Sequence, residues 1–505
     1  MRRSAISIVA VALATSACAG PGVLIAGEAG LNPEPPAPVV TVTVVAGDDM
    51  TPVPGAEVVV DSSAPTTTTE AGTFELEWLN TPIEIAASAP GFEAEAVSLV
   101  AYPEATDGAY EVVLDPLILE GTAVGPDGRP LPHTTVTLNG EEAVTDDQGV
   151  FTVTRALPGE ITAARPAWEA ATLAWNGEPG PVQIPMEPRQ IFGLRVSGDK
   201  AANPTAWADV LALADASKIN ALVVDTKDET GWVSYETDIP TVTEIGALNT
   251  GHLYDVEQII ADMDAHGLYK ITRVTTFQDN FLARAQPDIA VRNENTGDLW
   301  VNDKDIRWLD PTDRNSWEYP LDLAVNACEI GFDEIQFDYV RFPSDGNIQA
   351  VQTDGSYAEE NRVATIRAFL EEAHSRLNPL GCAVAADIFA ITLTSDWDEG
   401  IGQRPEVFAD VIDVLSPMVY TYTYGAGWGG YENPNEQPVE IVSMAMDAGM
   451  QWLTGHAIYR PWIQTWQLDA SQIVGVEQAV EERNMGWMIW SANTQYDLSF
   501  LPPEE

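Results

Sequence analysis

From Ile191 onward the chain alternates short apolar strands with amphipathic helical stretches, and this alternation limits the fold more than any other feature. Candidate strands are IFGLRVSG from Ile191, NALVVDTKD from Asn220, LYKITRVTTF from Leu268, DEIQFDYVRF from Asp333, CAVAADIF from Cys382, DVLSPMVY from Asp413, AIYRPWIQ from Ala457 and GWMIWSA from Gly486. Stretches such as WADVLALADAS, YDVEQIIADMDAHG and VATIRAFLEEAHSRL lie between them, with apolar residues three and four apart, as in a helix that buries one face. Repeated βα units build a parallel sheet covered by helices. Eight of them within about 310 residues fit a (β/α)8 TIM barrel, expected over residues 190–500.

The remaining N-terminal part is of another kind. VPGAEVVVDSSAPTTTTEAGTFELEWL, followed by APGFEAEAVSL, matches LPHTTVTLNGEEAVTDDQGVFTVTRAL, followed by RPAWEAATLAW, in order and nearly in register. Pro54 answers Pro132, Gly72 and Phe74 answer Gly149 and Phe151, and Phe92 answers Trp168. Short alternating Val/Thr segments between Gly, Pro and Asp turns predict two small all-β sandwiches, residues 39–116 and 117–188. The repeats resemble carboxypeptidase regulatory-like (transthyretin-like) β-sandwich modules, which implies spacers or adhesive units. Trp168 is expected in a core; sugar binding by an exposed Trp168 or Trp175 is the other reading.

The N-terminus MRRSAISIVAVALATSAC has two arginines, an apolar run and small residues up to Cys18, the three regions of a secretory signal. The run is too short for a good membrane span. Ala17 before Cys18 resembles a bacterial lipoprotein signal, with residues 1–17 removed and Cys18 lipidated, although Thr15 stands where an aliphatic residue is more usual. Plain secretory cleavage is the alternative. Residues 18–38, rich in Pro and Gly, read as a tether lifting a folded body off a surface. Of the other cysteines, Cys328 and Cys382 are either a disulfide, as an extracytoplasmic location permits, or two buried thiols.

Twenty-four basic against 77 acidic residues give a net charge of −53. Nucleic acid and anionic membrane surfaces are excluded as partners, since both need clustered Lys and Arg. A lipid anchor is the one membrane contact expected. The acids are interspersed rather than blocked, as on a solvated surface.

In a barrel, successive side chains of a strand face the lumen and the helix layer in turn. Along FDEIQFDYVRF, Ile335, Phe337 and Tyr339 share one face and Glu334, Gln336 and Asp338 the other. The apolar set suits the helices. The charged set therefore points inward, with Asp338 nearest the C-terminal rim, where barrel enzymes assemble their sites. The same test turns Ala383, Ala385 and Asp387 inward. The second strand ends in Asp225, Lys227 and Asp228, the third carries Arg273, and Arg341 follows Asp338. A lone Asp at a strand end is usually a cap or turn residue, but recurrence at one rim argues for a site.

Two carboxylates flanking a glycosidic bond are what sugar-polymer hydrolysis requires. Adjacent strands lie about 4.8 Å apart, so Asp338 and Asp387 are the catalytic candidates, near the roughly 5 to 5.5 Å of retaining enzymes. Asp225 with Asp338 would suit the wider inverting separation. Arg341 or Arg273 would keep Asp338 ionised while a drier Asp387 stays protonated. Asp225, Asp228, Arg273 and Arg341 are candidates for substrate binding. So are Tyr420 and Trp428 in the Gly-rich YTYTYGAGWGG, and Trp462 and Gln464 in RPWIQTW, because sugar rings stack on aromatic faces. The other reading for Trp462, Trp487 and Trp490 is core packing. The five histidines show no metal-ligand spacing, and neither G-x-S-x-G nor a Gly-rich phosphate loop occurs, so no metal, nucleotide or flavin cofactor is expected.

GFDEIQFDYVRFPSDG, with NALVVDTKDETG, TRVTTFQDNFLARAQPDIAV to WLDPT, GIGQ, SPMVY and RPWIQ, resembles a bacterial barrel family described as a glycoside hydrolase and long catalogued as a domain of unknown function. The resemblance spans roughly residues 190 to 500. It implies an extracellular carbohydrate-active enzyme with Asp338 as nucleophile. The chain departs from the family at Thr421, Tyr422, Thr423 and Tyr424, where Pro-Ser-His-Tyr is common, and at Thr465, where an acid is frequent. The leading expectation is a surface-anchored bacterial hydrolase of an extracellular or envelope polysaccharide. Alternatives are a non-catalytic carbohydrate-binding or envelope-organising lipoprotein and, less favoured, an adhesin working through its sandwiches. No motif bears on oligomeric state.

Overall fold

The computed structural model describes residues 36–452 and 456–501. The expected signal, most of the tether and Cys18 lie outside them. The chain divides into two compact units, one up to Asp115 and one from Pro116 onward.

The first unit is a sandwich of a three-stranded sheet, with Val39–Ala46 between Thr73–Glu77 and Ala109–Leu114, and a four-stranded sheet ordered Thr66–Thr67, Glu57–Val60, Ile83–Ser88, Glu95–Leu99. The second unit opens with the same plan: Ile118–Val124 between Val150–Thr154 and Val182–Pro185, facing Glu141–Val144, Thr135–Leu138, Gly159–Ala164 and Ala171–Trp175. The internal repeat is thus a structural repeat. Gly72 and Gly149 take the same left-handed turn (φ 71° and 70°), and a Cβ at either would stand 2.9 Å from a backbone nitrogen, of Val53 and Leu131 respectively. Thr68 and Thr145, just ahead of those turns, both donate their hydroxyls to the carbonyls of the same two residues at 2.7 Å. Phe74 and Phe151 fill the cores. Trp168 and Trp175 are both buried, which removes the reading of either as an exposed sugar platform.

The rest of the second unit is a closed eight-stranded barrel. Its strands are β1 (Phe192–Val196), β2 (Ala221–Lys227), β3 (Tyr269–Thr275), β4 (Glu334–Asp338), β5 (Ala383–Phe389), β6 (Val414–Val419), β7 in two pieces (Ile458–Tyr459 and Trp462–Gln464) and β8 (Trp487–Trp490). All neighbours are parallel, and β8 pairs back onto β1 through Phe192 and Trp487. Between the pieces of β7 stands Pro461, which has no N–H for a ladder. Asn203, Asp255, Asp279 and Asp469 accept backbone N–H bonds at helix starts, so these three acids serve as caps.

Strand β4 behaves as its alternation predicts as far as Asp338; Tyr339, expected on the helix-facing side, instead follows the end of the strand with a left-handed backbone (φ 52°), which turns it to the C-terminal mouth. Phe337 faces outward against Phe369 of the helix Glu359–Leu377, ring centroids 5.2 Å apart. Inward, Glu334 accepts from both terminal nitrogens of Arg460 at 3.2 and 2.8 Å, and Gln336 donates to Ser416 at 3.3 Å. Glu334, Arg460 and Gln336 thus each have a partner, as burial demands, although among the described residues Gln336 Oε1 and Arg460 Nε have none. A disulfide joins Cys328, on the helix Asn315–Ile330, to Cys382 at the foot of β5. The second sandwich covers the N-terminal mouth: its core is continuous with lumen residues Ala383, Ala385 and Val414, and Arg165 donates to Asp413 at 3.0 Å with both side chains fully buried. Among the described residues no helix is long and apolar enough to cross a membrane.

Candidate active site

The C-terminal mouth holds a cleft of about 710 Å³ whose lining includes Asp338 and Asp387. The ladder pairs Phe337 of β4 with Ala386 of β5, so Asp338, the last residue of β4, and Asp387, near the end of β5, stand at the same level on adjacent strands. Asp338 Oδ2 accepts from Nε and Nη2 of Arg273 at 2.9 and 2.6 Å, and its Oδ1 accepts the Tyr339 N–H at 2.7 Å. Charge-assisted bonds of this kind stabilise a carboxylate.

Asp387 is treated differently. Its Oδ1 accepts the indole N–H of Trp462 at 2.8 Å, and it has no cationic hydrogen-bond partner among the described residues. Burial above all, then the charge of Asp338, pushes its carboxyl well above the usual range and favours the protonated form. Gln403 holds both strand ends together: its Nε2 donates to the carbonyls of Val340 and Asp387 at 3.3 and 3.1 Å, and its Oε1 accepts the Phe389 N–H at 2.8 Å.

Of the sequence candidates, Arg273, Arg341, Tyr420 and Trp428 also line the cleft. The other four do not. Asp225 lies beneath, bonded to Arg195 and 3.4 Å from Arg273 Nη1, where it supports the guanidinium that holds Asp338. Asp228 accepts the N–H groups of Thr230, Gly231 and Trp232 and so closes a turn. Trp462 is fully buried and acts on Asp387 rather than facing the cleft. Gln464 is buried too, accepting the Tyr422 N–H at 3.0 Å and donating to Asn435 at 3.0 Å, which anchors the aromatic loop after β6.

Several lining residues escaped the sequence reading, among them Glu229, Lys304 and Phe389, while Trp466 and Trp490, from the aromatic segments RPWIQTW and GWMIWSA, line the cleft as well. Glu229 was hidden by a register shift in β2 between Asp225 and Lys227. Beyond that bulge Lys227 leaves the face that strict alternation would have it share with Asp225 and pairs with Asp279 at 2.7 Å, over the Tyr319 ring, while Glu229 reaches the rim. Burial pushes the Glu229 carboxyl up, but Arg273, 3.6 Å away, with Arg195 and Lys304 holds it below the usual value. Trp490 carries Arg195 and Arg273 over its ring at 4.6 and 5.0 Å, and Trp466 meets Tyr420 edge-on at 5.0 Å.

Residues 193–496 match the family model described as "Putative glycosyl hydrolase domain". Among solved structures, a hypothetical protein from Ruminiclostridium thermocellum is 34% identical over 38% of this chain and 96% of its own, with a TM-score of 0.35. The glycoside hydrolase domain of PgaB (BpsB) from Bordetella bronchiseptica is 11% identical over 63% of this chain and 100% of its own, TM-score 0.45. That of PelA from Pseudomonas aeruginosa is 10% identical over 61% and 97%, TM-score 0.37. No curated protein matches.

Proposed function

This chain belongs, through residues 193–496, to that glycosyl hydrolase barrel family, and from this premise we propose that it cleaves a glycosidic bond in an extracellular or envelope polysaccharide with Asp338 and Asp387 as its catalytic pair. The observation that carries the reading is the unequal treatment of two carboxyls on adjacent strands. One is ion-paired with Arg273, and the other is driven toward its neutral form by burial and by its neighbour's charge. Asp387 is the acid that protonates the leaving oxygen. Asp338 is the carboxylate that attacks the anomeric carbon, and water then releases the sugar with Asp387 acting as base. Tyr420, Trp428, Trp466 and Trp490 supply faces for sugar rings.

The test is release of reducing ends from a panel of polysaccharides. Asp338→Asn should keep the fold and sugar binding while turnover falls at least about a thousandfold, the scale of losing a covalent and electrostatic contribution together. Equal, negligible release by wild type and variant would leave the non-catalytic sugar-binding reading in its place. Retention of anomeric configuration is expected; inversion would turn Asp338 into a base acting through water. Lipid anchoring at Cys18 belongs to the same proposal: Cys18→Ser should move the protein from the membrane fraction to the soluble one. The sandwiches, read as carboxypeptidase regulatory-like spacers, hold the barrel away from that anchor, and deleting residues 39–115 should leave turnover of soluble oligosaccharides intact.

A further inference from the structure

The two-carboxylate mechanism leaves Arg341 without a task, and its surroundings are unusual for a charged side chain. It lies three residues beyond Asp338, after Tyr339, whose left-handed backbone (φ 52°) turns the chain out of β4. Its side chain lines the cleft although the residue is only 6% exposed. Rings surround the guanidinium: the centroids of Tyr339, Phe389 and Trp308 are 4.3, 4.5 and 5.3 Å from its central carbon. Nε and Nη1 are buried with no hydrogen-bond partner among the described residues. No carboxylate is within ion-pair distance among the described residues; the Asp338 oxygens are engaged by Arg273 and by the Tyr339 N–H. Burial works against the charge of Arg341, opposed by Tyr339, Asp338 and Asp345.

Buried cations are paired or coordinated, because removing one from water without a counter-ion is costly. The rings offer a cation–π cradle but do not use the remaining N–H donors. The cleft also departs from the charge of the chain. The molecule carries −53, yet its active cleft gathers Arg273, Lys304 and Arg341 against the carboxylates of Glu229 and Asp338, with Asp387 favouring its neutral form. Arg273 is consumed by Asp338 and Asp225. Lys304 stands exposed on the lining, so two cations remain to meet a ligand.

We propose that Arg341, with Lys304 at the rim, forms an anion-recognising subsite, and that the sugar polymer bound in this cleft carries carboxylate groups, as a uronic acid residue does. The inference rests on the hydrolase reading for the ligand being a sugar, and on Arg341 for the sugar being acidic. A planar guanidinium with unused donors suits a carboxylate. The acidic surface repels an anionic polymer at long range, and salt screens that repulsion without reaching a buried contact as strongly.

Calorimetric binding is measured in an Asp387→Asn background with three sets of oligosaccharides matched in length: uronate oligomers, their neutral counterparts and sulfated counterparts. Uronate oligomers should bind about tenfold or more tighter than neutral ones, the scale of hydrogen bonds to a charged group. Arg341→Met should abolish that preference by weakening uronate binding far more than neutral binding, without lowering the melting temperature, and Arg341→Lys should retain part of the preference. Should Arg341→Met fail to fold, the preference in the Asp387→Asn protein together with its reduction in Arg341→Lys decides the matter. Equal binding of neutral and uronate oligomers, tighter binding of sulfated ones, a preference that survives loss of Arg341, or no binding of any set overturns the proposal. Reducing-end release by the unmutated protein separates the two readings. Tight uronate binding without release removes the hydrolase and leaves the subsite, whereas release from neutral oligomers with no acidic preference does the reverse.

Discussion

The indole nitrogen of Trp462 donates to Asp387 Oδ1 at 2.8 Å, from a side chain with no exposed surface. The seventh strand thereby sets the state of a carboxyl delivered by the fifth. The bond lowers the Asp387 carboxyl against the larger upward effects of burial and Asp338. Replacing Trp462 with Phe keeps an aromatic ring but removes the donor, so the carboxyl should rise further. The alkaline limb of the pH–rate profile, set by loss of the acid's proton, should move to higher pH in Trp462→Phe. An unmoved limb would separate Trp462 from catalysis.

Glu334 and Arg460 form a bidentate pair deep in the lumen. Glu334→Gln or Arg460→Met alone should cost about 3–5 kcal/mol, because each leaves a buried charge without its partner. The double variant should recover much of that loss. Denaturant titration of the four proteins gives the coupling energy directly, and additive losses would contradict a paired site.

His456 lies at the junction of the second sandwich and the barrel, near Arg165, Asp413, His374 and His133. Burial first, then the charges of Arg165 and the two histidines, pushes it down to about 3. A histidine whose folded value lies below its unfolded value contributes stability that is present above the unfolded value near 6.5 and is lost as pH falls toward the folded one. Between pH 7 and pH 5 the loss should be about 2 kcal/mol, at 1.36 kcal/mol per unit. Urea melts at the two pH values should show that decline, and His456→Leu should flatten it; a variant as acid-sensitive as wild type places the effect elsewhere.

Gln403 bonds the ends of β4 and β5 through three hydrogen bonds. Gln403→Leu leaves those backbone groups unpaired at a cost of about 1–3 kcal/mol. Its particular signature is kinetic: kcat should fall by about tenfold or more from misplacement of the two carboxyls, while KM changes little. Loss of stability with unchanged kcat would make Gln403 a structural residue only.

Reading from the sequence alone succeeds where the physics is local. The period-two alternation of EIQFD assigns Ile335 and Phe337 to the helices and Glu334 and Asp338 to the lumen, since a side chain's face follows from the pleat. The βα alternation yields all eight strands, and the repeat yields both sandwiches. Several quoted motifs have local meanings that only contact reveals: the Gln of GIGQ clamps two strand ends, the Ser of SPMVY meets Gln336, and RPWIQ supplies the partners of Glu334 and Asp387.

What the sequence determined, then, is the order of the eight strands and that the inward face of β4 and β5 carries Asp338 and Asp387 to the barrel's C-terminal mouth, because strand period and element order are properties of neighbouring positions. Only the tertiary structure decided what each does there. The β2 bulge sent Lys227 outward and brought Glu229 to the rim, and the break at Pro461 divided β7 between Arg460, which meets Glu334, and Trp462, which holds Asp387. Asp225 became a support for Arg273, and Arg341 was left among aromatic rings with donors unused. Those outcomes depend on pairs separated by up to 126 residues, such as Arg460 with Glu334, and a carboxyl's protonation depends on the charges and burial that such distant pairings create.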